Sequence, residues 1–180
     1  MENRLRNLVQ GETELNPGPG TAAVAVVTKA GQHVLVVKRA AREDDPWSGQ
    51  IAFPGGRWKT GDRNLLETAL RELEEETGMP SDAVEVLGPM KPVSPANMPT
   101  LKVLPFLFLH RCETALKPGA EVEKVFWLPL NQLEKGNFTV YSRSLGRELT
   151  TVGYRYRSEV IWGMTARLLE VLEQAVKDGV

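Results

Sequence analysis

The sequence has little cysteine and histidine and no excess of either charge. Cys112 is its single cysteine, and two histidines occur in 180 residues. One thiol excludes an internal disulfide and a zinc site built from several thiolates. Lysine and arginine number 22 against 23 aspartates and glutamates, for a net charge of -1. Without a basic field, a nucleic-acid polymer is not expected as the main partner.

Long hydrophobic runs are also missing. No segment reaches the roughly 18 apolar residues that a membrane-spanning helix requires. The N-terminal stretch has no apolar core of the kind found in signal peptides. We therefore expect a cytoplasmic protein without a membrane partner. A chain that is 42% hydrophobic and 25% charged is typical of one globular domain with its own core.

The first 20 residues differ in character from the rest. They are polar and end in NPGPG, where prolines and glycines interrupt regular structure. We predict an N-terminal arm at residues 1–20 and a single folded domain at residues 21–180.

Strand and helix patterns alternate along this domain. Two β-branched runs joined by a turn at Gly31 predict a hairpin, and a brief strand begins at Ile51 and stops at Pro54. Apolar residues at helical spacing predict two helices. The predicted hairpin strands are 22–28 and 33–39, later strands lie near 83–90, 101–111, 121–129 and 151–157, and the helices are 64–77 and 158–179. This order predicts the α/β (α+β) class, with one mixed sheet covered by helices.

The first of these helices concentrates acidic residues. At about 100° per residue, Glu72, Glu75 and Glu76 fall on one arc beside the apolar stripe. Like charges at this spacing repel one another, and a hard divalent cation would convert the repulsion into coordination. A solvated charged face is the structural alternative. The Gly55–Gly56 turn just before the helix favours the metal site, because main chain without Cβ atoms permits close approach.

These residues resemble the Nudix hydrolase signature, G, five residues, E, seven residues, R-E-U-x-E-E-x-G-U, where U is aliphatic. The second half is matched throughout, by Arg71, Glu72, Leu73, Glu75, Glu76, Gly78 and Met79. The first half departs from it. Asp62 stands where the signature has glutamate, and eight residues instead of seven separate it from Arg71.

The departure itself resembles the coenzyme A pyrophosphatase branch of the family. Three further segments of this sequence resemble the same branch: GQIAFPGG at 49–56, TALRE at 68–72 and IWGMTARLL at 161–169. One position differs, because Asp45 stands where the branch usually has arginine. Lys38, Arg39 and Arg42 lie nearby in the sequence and are candidates to supply that charge.

The resemblance implies a Nudix fold, a mixed β-sheet sandwiched between helices, and hydrolysis of a nucleoside diphosphate linked to another moiety, with Mg²⁺ or Mn²⁺ as cofactor. Carried over residue by residue, Glu72, Glu75 and Glu76 become metal ligands, with the Gly55 carbonyl as a further one. Glu75 or Glu76 is the candidate base. Arg71 is expected to orient Glu75 through a charge-assisted hydrogen bond.

Other site residues follow with less support from the signature. Asp62 is either an outer ligand or a cap at the helix N-terminus. Arg39, Lys38 and Arg42 are candidate contacts for substrate phosphates, although strand cations also simply face solvent. Trp47 is a candidate to stack on an adenine ring.

Three functional hypotheses remain open. The first is a pyrophosphohydrolase of coenzyme A or a derivative. The second shares its chemistry but takes ADP-ribose, NADH or dNTPs. The third, of a different class, is a catalytically silent nucleotide-binding module. In each case the partner is a small nucleotide derivative, and a homodimer is compatible with the sequence.

Overall fold

The computed structural model describes residues 2–11, 13 and 15–177. Its helices are α1 (Glu2–Arg6), α2 (Leu65–Thr77) and α3 (Gly163–Lys177). Its strands are β1 (Thr21–Lys29), β2 (His33–Arg39), β3 (Ile51–Ala52), β4 (Gly55–Arg57), β5 (Val84–Pro89), β6 (Lys102–His110), β7 (Val122–Pro129), β8 (Glu134–Ser142), β9 (Arg147–Tyr156) and β10 (Glu159–Ile161). Within the described ranges, none of the helices could span a lipid bilayer.

The main sheet has the strand order β3-β2-β1-β6-β5, with β4 also paired to β1 and β7 also paired to β2. β1 and β6 are parallel, and the other pairs are antiparallel. This sheet is therefore mixed, as predicted, although the sequence predicted one sheet and the structure has two. A second, antiparallel sheet has the order β10-β9-β8.

The alternation of side chains in β1 builds two cores, one on each face of the main sheet. Ala25 and Val27 belong to the cluster that contains Leu73 of α2. Val26, between them, belongs to the other cluster, which contains Leu169 of α3. The main sheet is thus sandwiched between α2 and α3.

Helix α2 begins and ends at residues suited to those positions. The Asn64 side chain accepts a hydrogen bond from the Glu67 N–H at the N-terminus, and Gly78 closes the C-terminus in the left-handed conformation, with φ 71°. Both are strong local signals for helix ends. Asn64 is therefore the cap, and the capping alternative for Asp62 is wrong.

The N-terminal arm contacts the domain. Leu5 in α1 is only 1% exposed and belongs to the core cluster beside α3. The Gln10 N–H donates to the Pro89 carbonyl at 2.7 Å. The division between an arm at 1–20 and a domain at 21–180 stays a prediction, but described residues of the arm take part in the core.

Four elements after β7 differ from the predicted ones. The strand expected near 151–157 is the end of the longer β9, and its partner β8 was not predicted. The helix expected to begin at Ser158 instead begins at Gly163, because Glu159–Ile161 form β10. Gly163, the first residue of α3, has φ 67°, a left-handed conformation that separates the helix from β10.

Candidate active site

Strand β4 follows β3 after a bend at Pro54 and brings main chain against two glutamates, so Gly55 and Gly56 lie in a strand and not in the predicted turn. A Cβ at Gly56 would lie 2.5 Å from Glu72 Oε1, and one at Gly55 would lie 2.5 Å from the Ala23 carbonyl oxygen. The Gly55 N–H donates to Glu76 Oε2 at 3.0 Å. The two glycines therefore allow a close approach that no other residue type permits.

Arg71 connects the acidic residues of this region. Its Nε and Nη2 donate to the two carboxylate oxygens of Asp62, both at 2.9 Å. Asp62 also accepts from the Thr68 hydroxyl at 2.9 Å and the Lys59 N–H at 3.2 Å. The Arg71 guanidinium, with these donors, holds the pKa of Asp62 well below its usual range. Asp62 thus fixes Arg71 through a bidentate pair.

The remaining nitrogen of the Arg71 guanidinium reaches the other carboxylates. Nη1 donates to Glu72 Oε1 at 2.5 Å and to Glu75 Oε2 at 3.2 Å. The contact with Glu75 is the one expected from the sequence. Lys59 Nζ lies 3.9 Å from Glu72 and 3.6 Å from Glu75. Sequence reasoning missed Lys59, whose only signal was its place three residues after Gly56.

The three glutamates have different environments. Glu72 and Glu76 are buried, whereas the Glu75 side chain is 50% exposed. Burial raises the pKa of Glu76 to about 7, the Gly55 N–H opposes this increase, and the charge of Glu72 adds to it. A nearby positive charge would favour the ionised form of such a carboxyl group.

A divalent cation needs several oxygen ligands in one place. Among the described residues, no three His, Cys, Asp or Glu side chains form a group ready to hold a metal ion. Arg71 and Lys59 instead neutralise Glu72 and Glu75. The residue types nevertheless suit a divalent cation, because carboxylate oxygens are the ligands that Mg²⁺ and Mn²⁺ prefer. Glu72 and Glu76 are also close enough for their charges to interact.

The cations expected to contact substrate are all paired in the structure. Lys38 Nζ lies 2.6 Å from Glu159, Arg39 Nε lies 2.8 Å from Asp45, and Arg42 Nη1 lies 2.5 Å from Glu121. Arg39 Nη1 also lies 3.8 Å from Glu76 Oε1, which brings this cation close to a candidate metal ligand.

Trp47 lies in the loop between β2 and β3. It is half-buried and packs against the core cluster on the α3 side of the sheet. Its backbone N–H donates to Asp45 Oδ1 at 3.0 Å. Part of the Trp47 ring is therefore covered by other residues of the protein. Stacking of this ring on an adenine stays a prediction.

The sequence of the chain is similar to those of proteins from one family. The family model of the NUDIX domain matches residues 18–149. The uncharacterized Nudix hydrolase NudL of Citrobacter koseri is 34% identical over 177 residues, covering 93% of this chain and 87% of the relative. NudL of Photorhabdus laumondii is 33% identical over 160 residues, covering 84% and 81%.

Solved structures show the same fold. A MutT/nudix family protein from Enterococcus faecalis superposes with a TM-score of 0.53 at 21% identity, covering 91% of this chain and 63% of that one. An Ap4A hydrolase of C. elegans in a binary complex has a TM-score of 0.52 at 17% identity, covering 61% and 80%.

Proposed function

The chain belongs to the Nudix family and is a hydrolase acting on pyrophosphate bonds, and from this premise we propose that it cleaves a nucleoside diphosphate linked to another moiety. Coenzyme A or a derivative is the first candidate substrate. The observation that carries the proposal is the burial of Glu72 and Glu76 beside Gly55 and Gly56 of β4. Buried neighbouring carboxylates are costly unless a cation compensates them.

The proposed cofactor is Mg²⁺ or Mn²⁺, held by Glu72, Glu75 and Glu76, with the Gly55 carbonyl as a further ligand. Such an ion, when bound, neutralises phosphate charge and lowers the pKa of a coordinated water. Arg71 orients Glu72 and Glu75, and Asp62 fixes Arg71. Glu75 is the more accessible candidate base, since half of its side chain is exposed, whereas Glu76 is buried.

The choice of coenzyme A is supported by three segments of the sequence. GQIAFPGG, TALRE and IWGMTARLL resemble that branch of the family, and the names of the NudL relatives state no substrate. ADP-ribose, NADH and dNTPs share the diphosphate and are the competing substrates. A cytoplasmic location and a homodimer are further proposals, the second of which a molar-mass measurement in solution tests.

A panel of substrates tests the proposal. Coenzyme A, ADP-ribose, NADH and dNTPs are incubated with the purified chain and Mg²⁺ or Mn²⁺, and products are separated by chromatography. We expect cleavage of coenzyme A to exceed that of the others. Rapid cleavage of another member alone would overturn the coenzyme A assignment, and no cleavage of any member would favour the silent binding module.

A matched pair of variants tests the carboxylate face. Glu75→Gln is expected to lower kcat by about 100-fold or more, because it removes a proposed ligand or base. Glu74→Gln is the control, since the Glu74 side chain is exposed on the same helix and its carbonyl, which the variant keeps, accepts from the Gly78 N–H at the helix end. Equal activities of the two variants would contradict the assigned role of Glu75.

A further inference from the structure

The loop between β2 and β3 carries an acid beside the candidate site. Asp45 Oδ2 accepts from Arg39 Nε at 2.8 Å, and Asp45 Oδ1 accepts from the Trp47 N–H at 3.0 Å. The Asp45 side chain is only 12% exposed. One desolvated carboxylate therefore connects the loop backbone to the Arg39 guanidinium.

Arg39 lies between two carboxylates. Its Nε contacts Asp45 at 2.8 Å, while its Nη1 remains 3.8 Å from Glu76 Oε1, too far for a hydrogen bond. Its backbone is fixed, because the Arg39 N–H donates to the Gln50 carbonyl at 3.0 Å. The position of the guanidinium thus depends on which carboxylate holds it.

We propose that Asp45 is a positioning residue that holds Arg39 away from Glu76 and so leaves Glu76 to a divalent cation. The inference rests on the proposed function, in which Glu76 is a metal ligand. Without the charge of Asp45, Glu76 is the acid that the Arg39 guanidinium already approaches. A hydrogen-bonded Arg39–Glu76 pair, closer than the present separation of 3.8 Å, would then compete with the metal for the same carboxylate.

Asp45→Asn separates this role from support of the loop. The asparagine oxygen can still accept from the Trp47 N–H, but the neutral amide lacks the negative charge with which the carboxylate holds Arg39. Asp44→Asn is the matched control, because it removes the same charge one position earlier, from an exposed residue. Arg39→Gln and the double variant Arg39→Gln/Asp45→Asn complete a double-mutant cycle.

The measurement is Mn²⁺ binding to each variant of the chain by isothermal titration calorimetry. We expect Asp45→Asn to weaken binding by about tenfold, as loss of a supporting residue around a metal does. Asp44→Asn should change it by no more than about twofold, since an exposed charge is screened. The double variant should bind within about twofold of Arg39→Gln, because the competing cation is gone.

Other results would overturn the inference. Equal effects of Asp45→Asn and Asp44→Asn, or a double variant as weak as Asp45→Asn, would remove the role of Asp45. If the wild-type protein still hydrolyses its substrate in that case, the proposed function stands and only the inference about Asp45 fails. Wild-type protein that neither binds Mn²⁺ nor hydrolyses any member of the panel would remove both.

Discussion

Gly56 is a residue at which the main chain comes close to a side chain of the acidic helix. Gly56→Ala would place a methyl group 2.5 Å from Glu72 Oε1. We expect kcat/KM to fall by about 100-fold, because Glu72 is a proposed metal ligand and a displacement of about 1 Å in an active site has that effect. Steady-state kinetics on the best substrate of the panel measures the change.

The control for this prediction is Gly61→Ala. A Cβ at Gly61 has no atom within 4 Å, so this variant should retain wild-type activity. Equal activities of the two alanine variants would show that Gly56 does not govern the position of Glu72.

The ion pair between Asp62 and Arg71 should make the stability of the protein depend on pH in the acid range. Because Arg71 lowers its pKa from 3.8, the ionised form contributes stability that is fully present above pH 3.8 and is lost as the pH falls below it. Asp62→Asn should cost about 2 kcal/mol at neutral pH, since it leaves Arg71 without its bidentate partner. Urea unfolding at several pH values measures the difference.

The same difference should stay constant between about pH 5 and 8 and shrink only under stronger acid. A difference that disappears already at about pH 5 would contradict the ion pair. Asp82→Asn, at an exposed aspartate, serves as the control and should change little at any of these pH values.

Single residues of the site were predictable where local spacing determines them. Helical spacing places Glu72, Glu75 and Glu76 on one arc, while the roles proposed for them and for Arg71 follow from the resemblance to the Nudix signature. Their partners were less accessible to sequence reasoning, because ion pairs join distant positions. Lys38 and Glu159, for example, are separated by 121 residues, and no local pattern links them.

At the scale of elements, α2 depends on its caps. Asn64→Ala removes the acceptor for the Glu67 N–H and should destabilise the protein by about 1 kcal/mol. Urea unfolding measures this loss, with Asn97→Ala at an exposed loop position as the control. An unchanged midpoint for Asn64→Ala would contradict the role of the cap.

Elements with strong periodicity were predicted well, and those with weak periodicity were not. The β2 strand and α2 agree with the predicted ranges because apolar residues mark their buried faces. β8 was missed since most of its residues are exposed or half-buried, which removes the alternating apolar signal. β10 was absorbed into the predicted helix because Ile161 continues the helical spacing of α3.

At the scale of the whole molecule, the arm shares the core of the domain. Leu5→Ala should destabilise the protein by about 2–4 kcal/mol, because it leaves a cavity at a fully buried position. Thermal unfolding measures the loss, with Leu145→Ala as the control, since Leu145 is 53% exposed. Equal unfolding midpoints would show that the arm is independent of the domain.

The identity of the substrate is the property of the molecule that was least predictable from the sequence. The cations that were candidates for phosphate binding, Lys38, Arg39 and Arg42, each have an acidic partner in the fold. Their availability depends on tertiary pairing, which a list of charges does not reveal. The diphosphate chemistry follows from the family, whereas the second moiety of the substrate requires the panel.

The most direct test of the proposed metal site is a crystal structure of the chain soaked with Mn²⁺, with anomalous diffraction used to locate the metal. We predict a peak within coordination distance of Glu72 and Glu76, beside Gly55. A fully occupied Mn²⁺ elsewhere, with Arg71 and Lys59 still bound to the glutamates, would contradict this site.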